Sequence, residues 1–344
     1  MKRFFLFTLI VTVSLFCSVG ISAHEIRPAY LKITELNDKT EYSMVLKQPL
    51  REGRLVPIEP VVPSVCQEVS RGLGENTGLA LVKRWRMNCG VSGLQNQTIF
   101  ISGLDGNLAD VFVEITFLTG QVQTTILKPG NSSLIVDPGA GPNSLSYFWM
   151  GIEHLLLGFD HILFVIGLVL LVRTPINIIK VVTSFTVAHS LTLALATFGI
   201  VQPSQASIEA VIALSIAFLA VELFNTGRWS DETVANGIPT SSIMMRHPWA
   251  ITFVFGLLHG FGFAGALSEI GLPQNAAVVA LLLFNIGVEA GQLLIVFALL
   301  VLLFVIRHTS FGSSLILSKL PAYCIGTMAI FWFIERSLNT LIVV

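Results

Sequence analysis

The chain has 344 residues, 53% of them apolar and 12% charged, with a mean hydropathy of +0.77; ordinary soluble domains carry about 25% charged side chains, so the composition argues against a cytosolic enzyme. Its net charge is −1 and no run of Lys and Arg exceeds a pair, which removes nucleic acid as a partner. Residues 24–147 hold 23 of the 41 charged side chains and residues 148–344 hold 16, so the two regions are suited to different solvents.

Met1–Ala23 opens with Lys2 and Arg3, continues through an apolar stretch from Phe4 to Val19 and closes on Ser22 and Ala23, the pattern of a secretory signal peptide. From His24 to about Ser146 short alternating runs predict strands at Tyr30–Glu35, Glu41–Lys47, Ala80–Cys89, Thr98–Gly103, Val111–Leu118 and Val122–Leu127. The expected fold of this region is a small extracytoplasmic β-sandwich. Cys66 and Cys89 are its only cysteines, and an exported domain keeps disulfides, so the two are expected to pair. Such a crosslink would add about 3 kcal/mol on the chain-entropy account. Gly130–Pro142, rich in Gly, Pro and small polar residues, reads as a linker at the end of the 24–146 region.

Residues 147–344 read as a membrane domain. Apolar segments near 148–171, 178–200, 207–225, 249–268, 276–306 and 320–337 approach or exceed the length needed to cross about 30 Å of hydrocarbon. The expected architecture is a mainly α membrane protein, a six-helix transmembrane bundle preceded by the β domain. Arg173, Lys180, Arg228, Arg246, Arg307 and Lys319 all fall in one set of loops, which the positive-inside rule makes cytoplasmic. The β domain and the C-terminus then lie outside a bacterial inner membrane, with Arg336 as a small violation.

An ionisable residue within a span costs several kcal/mol and is a functional candidate by default. The first span carries Glu153, His154, Asp160 and His161, the second Thr183, Thr186, His189 and Ser190, the fourth His259 among glycines, and the fifth Asn285 and Glu289. At about 1.5 Å rise per residue, Asp160, His161, His189, His259, Asn285 and Glu289 fall roughly 13–20 Å below the outer boundary. Imidazoles and carboxylates at one depth suit a divalent transition metal such as nickel, zinc or cobalt. Metal-bound histidines need outer hydrogen-bonding partners, for which Glu153, Ser190 and Asn285 are candidates. His154 and His161 are seven residues apart, about 10.5 Å on a straight helix. Either they are successive stations on a path, or Gly158 bends the helix and brings them together.

The sequence GIEHLLLGFDHILFVIGLVLL at 151–171, with its H-x5-D-H signature at His154, Asp160 and His161, resembles the first helix of the HupE/UreJ membrane proteins. FTVAHSLTLALA at 185–196, FGLLHGFGFAG at 255–265, FNIGVEAGQ at 284–292 and the opening AHEIRPAYL at 23–31 are similar to the family's longer branch, which carries an exported N-terminal domain. The resemblance implies nickel handling: better-known members are permeases supplying nickel for hydrogenase or urease, with His154, Asp160 and His161 as metal residues. Their second motif, F-H-G-x-[AV]-H-G-x-E, is reduced here to His259, and Glu289 is the carboxylate available to replace its glutamate.

Three functions follow as expectations. The leading one is a metal-ion permease that catalyses no covalent reaction. The second is an intramembrane zinc hydrolase using His154, His161 and His189 or His259, with Asp160 as base and Ser190 assisting. The third is a metal-linked sensor or assembly factor whose β domain binds a protein partner, with membrane lipid as the common surroundings.

Overall fold

The computed structural model describes residues 29–342 apart from 38, 52–53, 77–79, 107–109, 142–143, 173, 202, 226–242, 271–276 and 309–314. The signal-peptide reading of Met1–Ala23 and the loop around Arg228 lie outside the described residues. The described residues divide into two compact units: one holds those of 29–147, 266–270 and 277–280, the other those of 148–265 and 281–342.

The first unit is built on β1 (Ala29–Asn37), β2 (Glu41–Arg51), β3 (Arg54–Leu55), β4 (Glu59–Val61), β5 (Gln67–Arg71), β6 (Glu75–Asn76), β7 (Ala80–Asn88), β8 (Thr98–Ser102), β9 (Val111–Thr116), β10 (Val122–Leu127) and β11 (Ser133–Ile135). The larger sheet runs β10-β9-β1-β2-β7-β5, with β3 on β2 and β6 on β7, and the smaller runs β11-β8-β4. Alternation aims Leu31, Ile33, Met44 and Leu46 from one sheet and Ile99, Ile101 and Leu134 from the other into a shared core. β1 pairs antiparallel with β2 but parallel with β9, placing Tyr30 opposite Phe112. In that sheet Glu114 is buried yet satisfied by Lys32 Nζ at 2.9 Å and the Tyr30 hydroxyl at 3.1 Å. Burial first, and then the Glu114 charge, push the Tyr30 phenol above its ordinary range.

The expected linker is shorter than the composition implies. Ser133–Ile135 pairs with β8 and buries Leu134, while Val136 is fully buried, so three residues of alternating pattern lay hidden among glycines and prolines. Cys66 and Cys89 are joined in a disulfide, and Cys324 is in none. Thiol labelling of the denatured chain before and after reduction should therefore gain two reactive cysteines; an unchanged count would refute the crosslink.

The helices are α1 (Ser144–Leu157), α2 (Phe159–Leu171), α3 (Pro175–Thr197), α4 (Gln205–Asn225), α5 (Ile243–Arg246), α6 (Pro248–Ile270), α7 (Ala277–Arg307) and α8 (Leu315–Ile342). Among the described residues, α3, α4 and Ala277–Val305 of α7 are each long and apolar enough to cross a membrane. Leu145–Leu157 and Phe159–Leu171 would make a fourth span together, but they are bent by 74° at Gly158. The expected first span is thus a broken helix. Pro248–Phe263 of α6 is apolar but shorter. A core of Phe164, Leu168, Val181, Phe185, Ile216, Leu219, Ile325 and Trp332 joins α2, α3, α4 and α8.

Glycines set how closely these helices approach. A Cβ on Gly260 of α6 would strike the Thr192 hydroxyl and the His189 carbonyl of α3, and one on Gly256 would strike the Phe185 carbonyl. On the other side, Gly151 of α1 and Gly287 of α7 lie against each other's helix backbone, at the carbonyls of Phe284 and Phe148. Both contacts follow the small-residue rule for membrane helices.

A candidate metal centre of buried imidazoles

The bend at Gly158 creates the site. Gly158 caps α2 in an extended conformation, and a Cβ there would lie 2.7 Å from His161 Nδ1 and 2.9 Å from the His154 carbonyl oxygen. The residue after the break begins a new helix, so Asp160 falls in its first turn, where a carboxylate is favoured by the exposed N–H groups. Its Oδ1 accepts the His161 backbone N–H at 3.0 Å. The turn brings the His154 and His161 rings to 4.8 Å between centroids, far closer than the straight-helix spacing of about 10.5 Å. The straight-path alternative is thereby corrected: Gly158 breaks the helical rise on which it rested.

His189 of α3 completes a group of three. One ring nitrogen from each of His154, His161 and His189 lies within 4.8 Å of the other two. Tetrahedral ligands at about 2.1 Å from an ion are about 3.4 Å apart, so side-chain shifts of at most about 1 Å would close the group on an ion. His189 is fully buried and His161 is 6% exposed.

Hydrogen bonding decides which nitrogens carry lone pairs. Asn285 Nδ2 donates to the Leu281 carbonyl at 2.8 Å, which turns Asn285 Oδ1 toward His189 Nδ1 at 3.1 Å. An amide oxygen only accepts, so His189 Nδ1 carries the proton and Nε2 the lone pair. Asp160 Oδ1 imposes the same tautomer on His161 through Nδ1 at 3.2 Å. Ser215 of α4 donates its one proton to the Ile212 carbonyl at 2.6 Å, so it accepts from His259 Nε2 at 3.2 Å and leaves the His259 lone pair on Nδ1. The atoms freed by this logic, together with His154 Nε2, are buried without a hydrogen-bond partner among the described residues. Buried polar atoms are rarely left unsatisfied, and three imidazole lone pairs beside the unpartnered His154 Nε2 form a donor set suited to a transition metal.

The surroundings are aromatic. Phe263 lies 4.1 Å from His154 and stacks on Phe284 at 5.0 Å, while Phe164 and Phe185 each lie 5.1 Å from His259. His259 is fully buried and its ring lies 5.1 Å from that of His161, beside the group of three but outside it. Glu289 is also outside that group and accepts the Thr183 hydroxyl at 2.7 Å. Ser190 donates to the Thr186 carbonyl of its own helix at 2.6 Å. Glu153 is half-buried beside His154 in α1 and lies outside the group.

Arg336 and Ser215 carry roles the sequence reading did not assign. Counted in sequence as a charge near the outer end of the last span, Arg336 turns inward with its side chain 8% exposed, reaching Asp160 Oδ2 at 3.6 Å and donating to the Glu209 carbonyl at 2.9 Å. Asp160 thus stands between a guanidinium and an imidazole. Sequence depth set Arg336 at the outer boundary and Asp160 well below it, so no local pattern signalled the pair, although buried charges are expected to find partners.

A family model described as HupE / UreJ protein matches residues 131–336, more than half of the chain. No curated protein and no solved structure matches the chain significantly.

Proposed function

Because the chain belongs to the HupE/UreJ family, we propose that it is an integral-membrane permease for a divalent transition metal, nickel or cobalt first, with His154, His161 and His189 as its buried station. The family implies nickel or cobalt transport or metal handling. The observation that carries the reading to these residues is the convergence of three imidazoles whose ligand atoms lie within 4.8 Å of one another. Neutral nitrogen donors suit these metals, and Asp160, Asn285 and Ser215 supply the outer hydrogen bonds that orient histidines in metal sites. His259 and Asp160 are kept as further metal residues of this station and Glu289 as one apart from it; Glu153 is kept as an outer residue, whereas the Ser190 hydroxyl serves its own helix.

The proposal extends to the whole chain: a cleaved signal at 1–23, an extracytoplasmic β domain with its linker to 146, and six spans over 147–344 in a bacterial inner membrane. Bent helix, short α6 and charged α8 would then be packed by neighbours rather than standing alone in lipid. Reconstitution in liposomes tests the function directly. Radioactive nickel or cobalt should enter wild-type vesicles faster than protein-free ones, and an intact protein with stoichiometric metal but no flux would overturn the permease reading.

One observation favours a second reading. The bend that brings His154 to His161 also supplies three histidines around one point, the ligand count of a hydrolytic zinc centre. Zinc would there supply an activated water. Hydrolysis of a lipid or peptide by the zinc-loaded protein, with no ion flux, would select that reading.

A further inference from the structure

The histidine group does not end the polar lining of this bundle. Two stripes face each other across α3 and α7: Thr183, Thr186 and His189 on one, Asn285, Glu289 and Gln292 on the other. Their contacts are His189 Nδ1 to Asn285 Oδ1 at 3.1 Å, Thr186 Oγ1 to Gln292 Oε1 at 2.9 Å and Thr183 Oγ1 to Glu289 Oε1 at 2.7 Å. The spacings i, i+3, i+6 and i, i+4, i+7 keep each stripe on one helical face.

The character of the stripe changes along its length. At the histidine end His189 and Asn285 are buried, Thr186 and Gln292 are buried as well, and Thr183 is exposed with Glu289 half-exposed. Among the described residues Glu289 has no ion-pair partner, although it sits near the middle of the Ala277–Val305 span. A carboxylate at that depth is costly in hydrocarbon and faces water or a bundle interior instead.

We propose that the α3–α7 seam is the route by which the cation leaves the histidine group, with Glu289 and Thr183 forming a second, all-oxygen station. This rests on the permease reading. Thr183 is six residues from His189, so the two stations are about 9 Å apart along α3. Conduction needs binding that is weak or multi-site enough for the ion to leave, which a weaker site beside the three imidazoles would supply. Carboxylate, hydroxyl and amide oxygens provide it, since these metals prefer nitrogen to oxygen donors. On α3 Thr186 lies in the interval between, and Gln292, three residues past Glu289 on α7, is its partner.

The test separates binding from passage in the full-length protein. Glu289→Gln keeps size and the hydrogen bond from Thr183 but removes the charge. It should retain wild-type nickel stoichiometry in the purified protein, while nickel flux into liposomes falls about tenfold. Wild-type flux in this variant would overturn the seam alone, and loss of nickel binding would assign Glu289 to the histidine group and overturn the second station. Absence of flux in wild-type liposomes would overturn the permease reading and the seam with it. A second variant does not depend on flux: Thr183→Cys, in a chain with Cys324→Ala, should react with a membrane-impermeant maleimide from one face of sealed vesicles and be protected by nickel. No reaction from either face would overturn a hydrated seam.

Discussion

His161→Ala is expected to abolish stoichiometric nickel, cobalt or zinc binding by the purified protein, with an affinity loss beyond the roughly 10- to 100-fold that outer-partner mutations cause. The reason is a count: three imidazoles converge, and two histidines alone fall short of the three protein ligands of an ordinary open site. His154→Ala and His189→Ala should behave alike, which distinguishes the bent-helix group from a chain of separate stations. Asn285→Ala should weaken binding by about 10- to 100-fold, because His189 would keep its lone pair but lose the bond that fixes its tautomer. Ser190→Ala, whose hydroxyl serves its own helix, should bind metal as wild type does. Metal analysis beside a thermal melt reads both properties, and full metal content in the three histidine variants would remove the site.

Gly158→Ala is expected to destabilise the protein by about 1–3 kcal/mol, the usual cost of forcing an extra methyl into a filled space, and to lose metal with it. The sign is diagnostic. Were α1 and α2 one straight helix, alanine would stabilise it by roughly 0.5–1 kcal/mol relative to glycine. Backbone dihedrals are not the obstacle, since φ is −79° and ψ 95° there. The obstacle is the space a Cβ would take from His161 Nδ1 and the His154 carbonyl. A variant that is more stable and still binds metal would show that the bend is dispensable.

The elements legible in the sequence were those with a repeated pattern. β1, β2, β7 and β8 bury alternate residues along much of their length, β9 is a short apolar run buried nearly throughout, and α3, α4 and α7 are long and apolar. β3 and β6 have two residues each, and β5 is exposed throughout, so neither period nor burial marked them. The parallel pairing of β1 with β9 depends on contacts across most of the domain, which no local pattern encodes. In the bundle, a common depth identified His161, His189, Asn285 and His259 as neighbours, because depth survives ignorance of which helices touch. It set His154 about 10.5 Å from His161, because that spacing was counted through a glycine that breaks the rise. It also gave Glu289 the same level as the histidines, whereas the structure sets it against Thr183.

The glycine contacts have a mechanical consequence. Where α6 lies on α3 at Gly256 and Gly260, and α1 on α7 at Gly151 and Gly287, backbone meets backbone with no side chain between to yield. Sliding within either pair drives a carbonyl into a Cα, so each pair behaves as a stiff lever. Across the two levers run the three side-chain hydrogen bonds of the α3–α7 seam, and such bonds in membrane proteins average about 0.6 kcal/mol each, or about 2 kcal/mol for the set. Parting the levers would break those bonds and also the Phe263–Phe284 stack and the Phe263–His154 contact, which cross between the same two pairs.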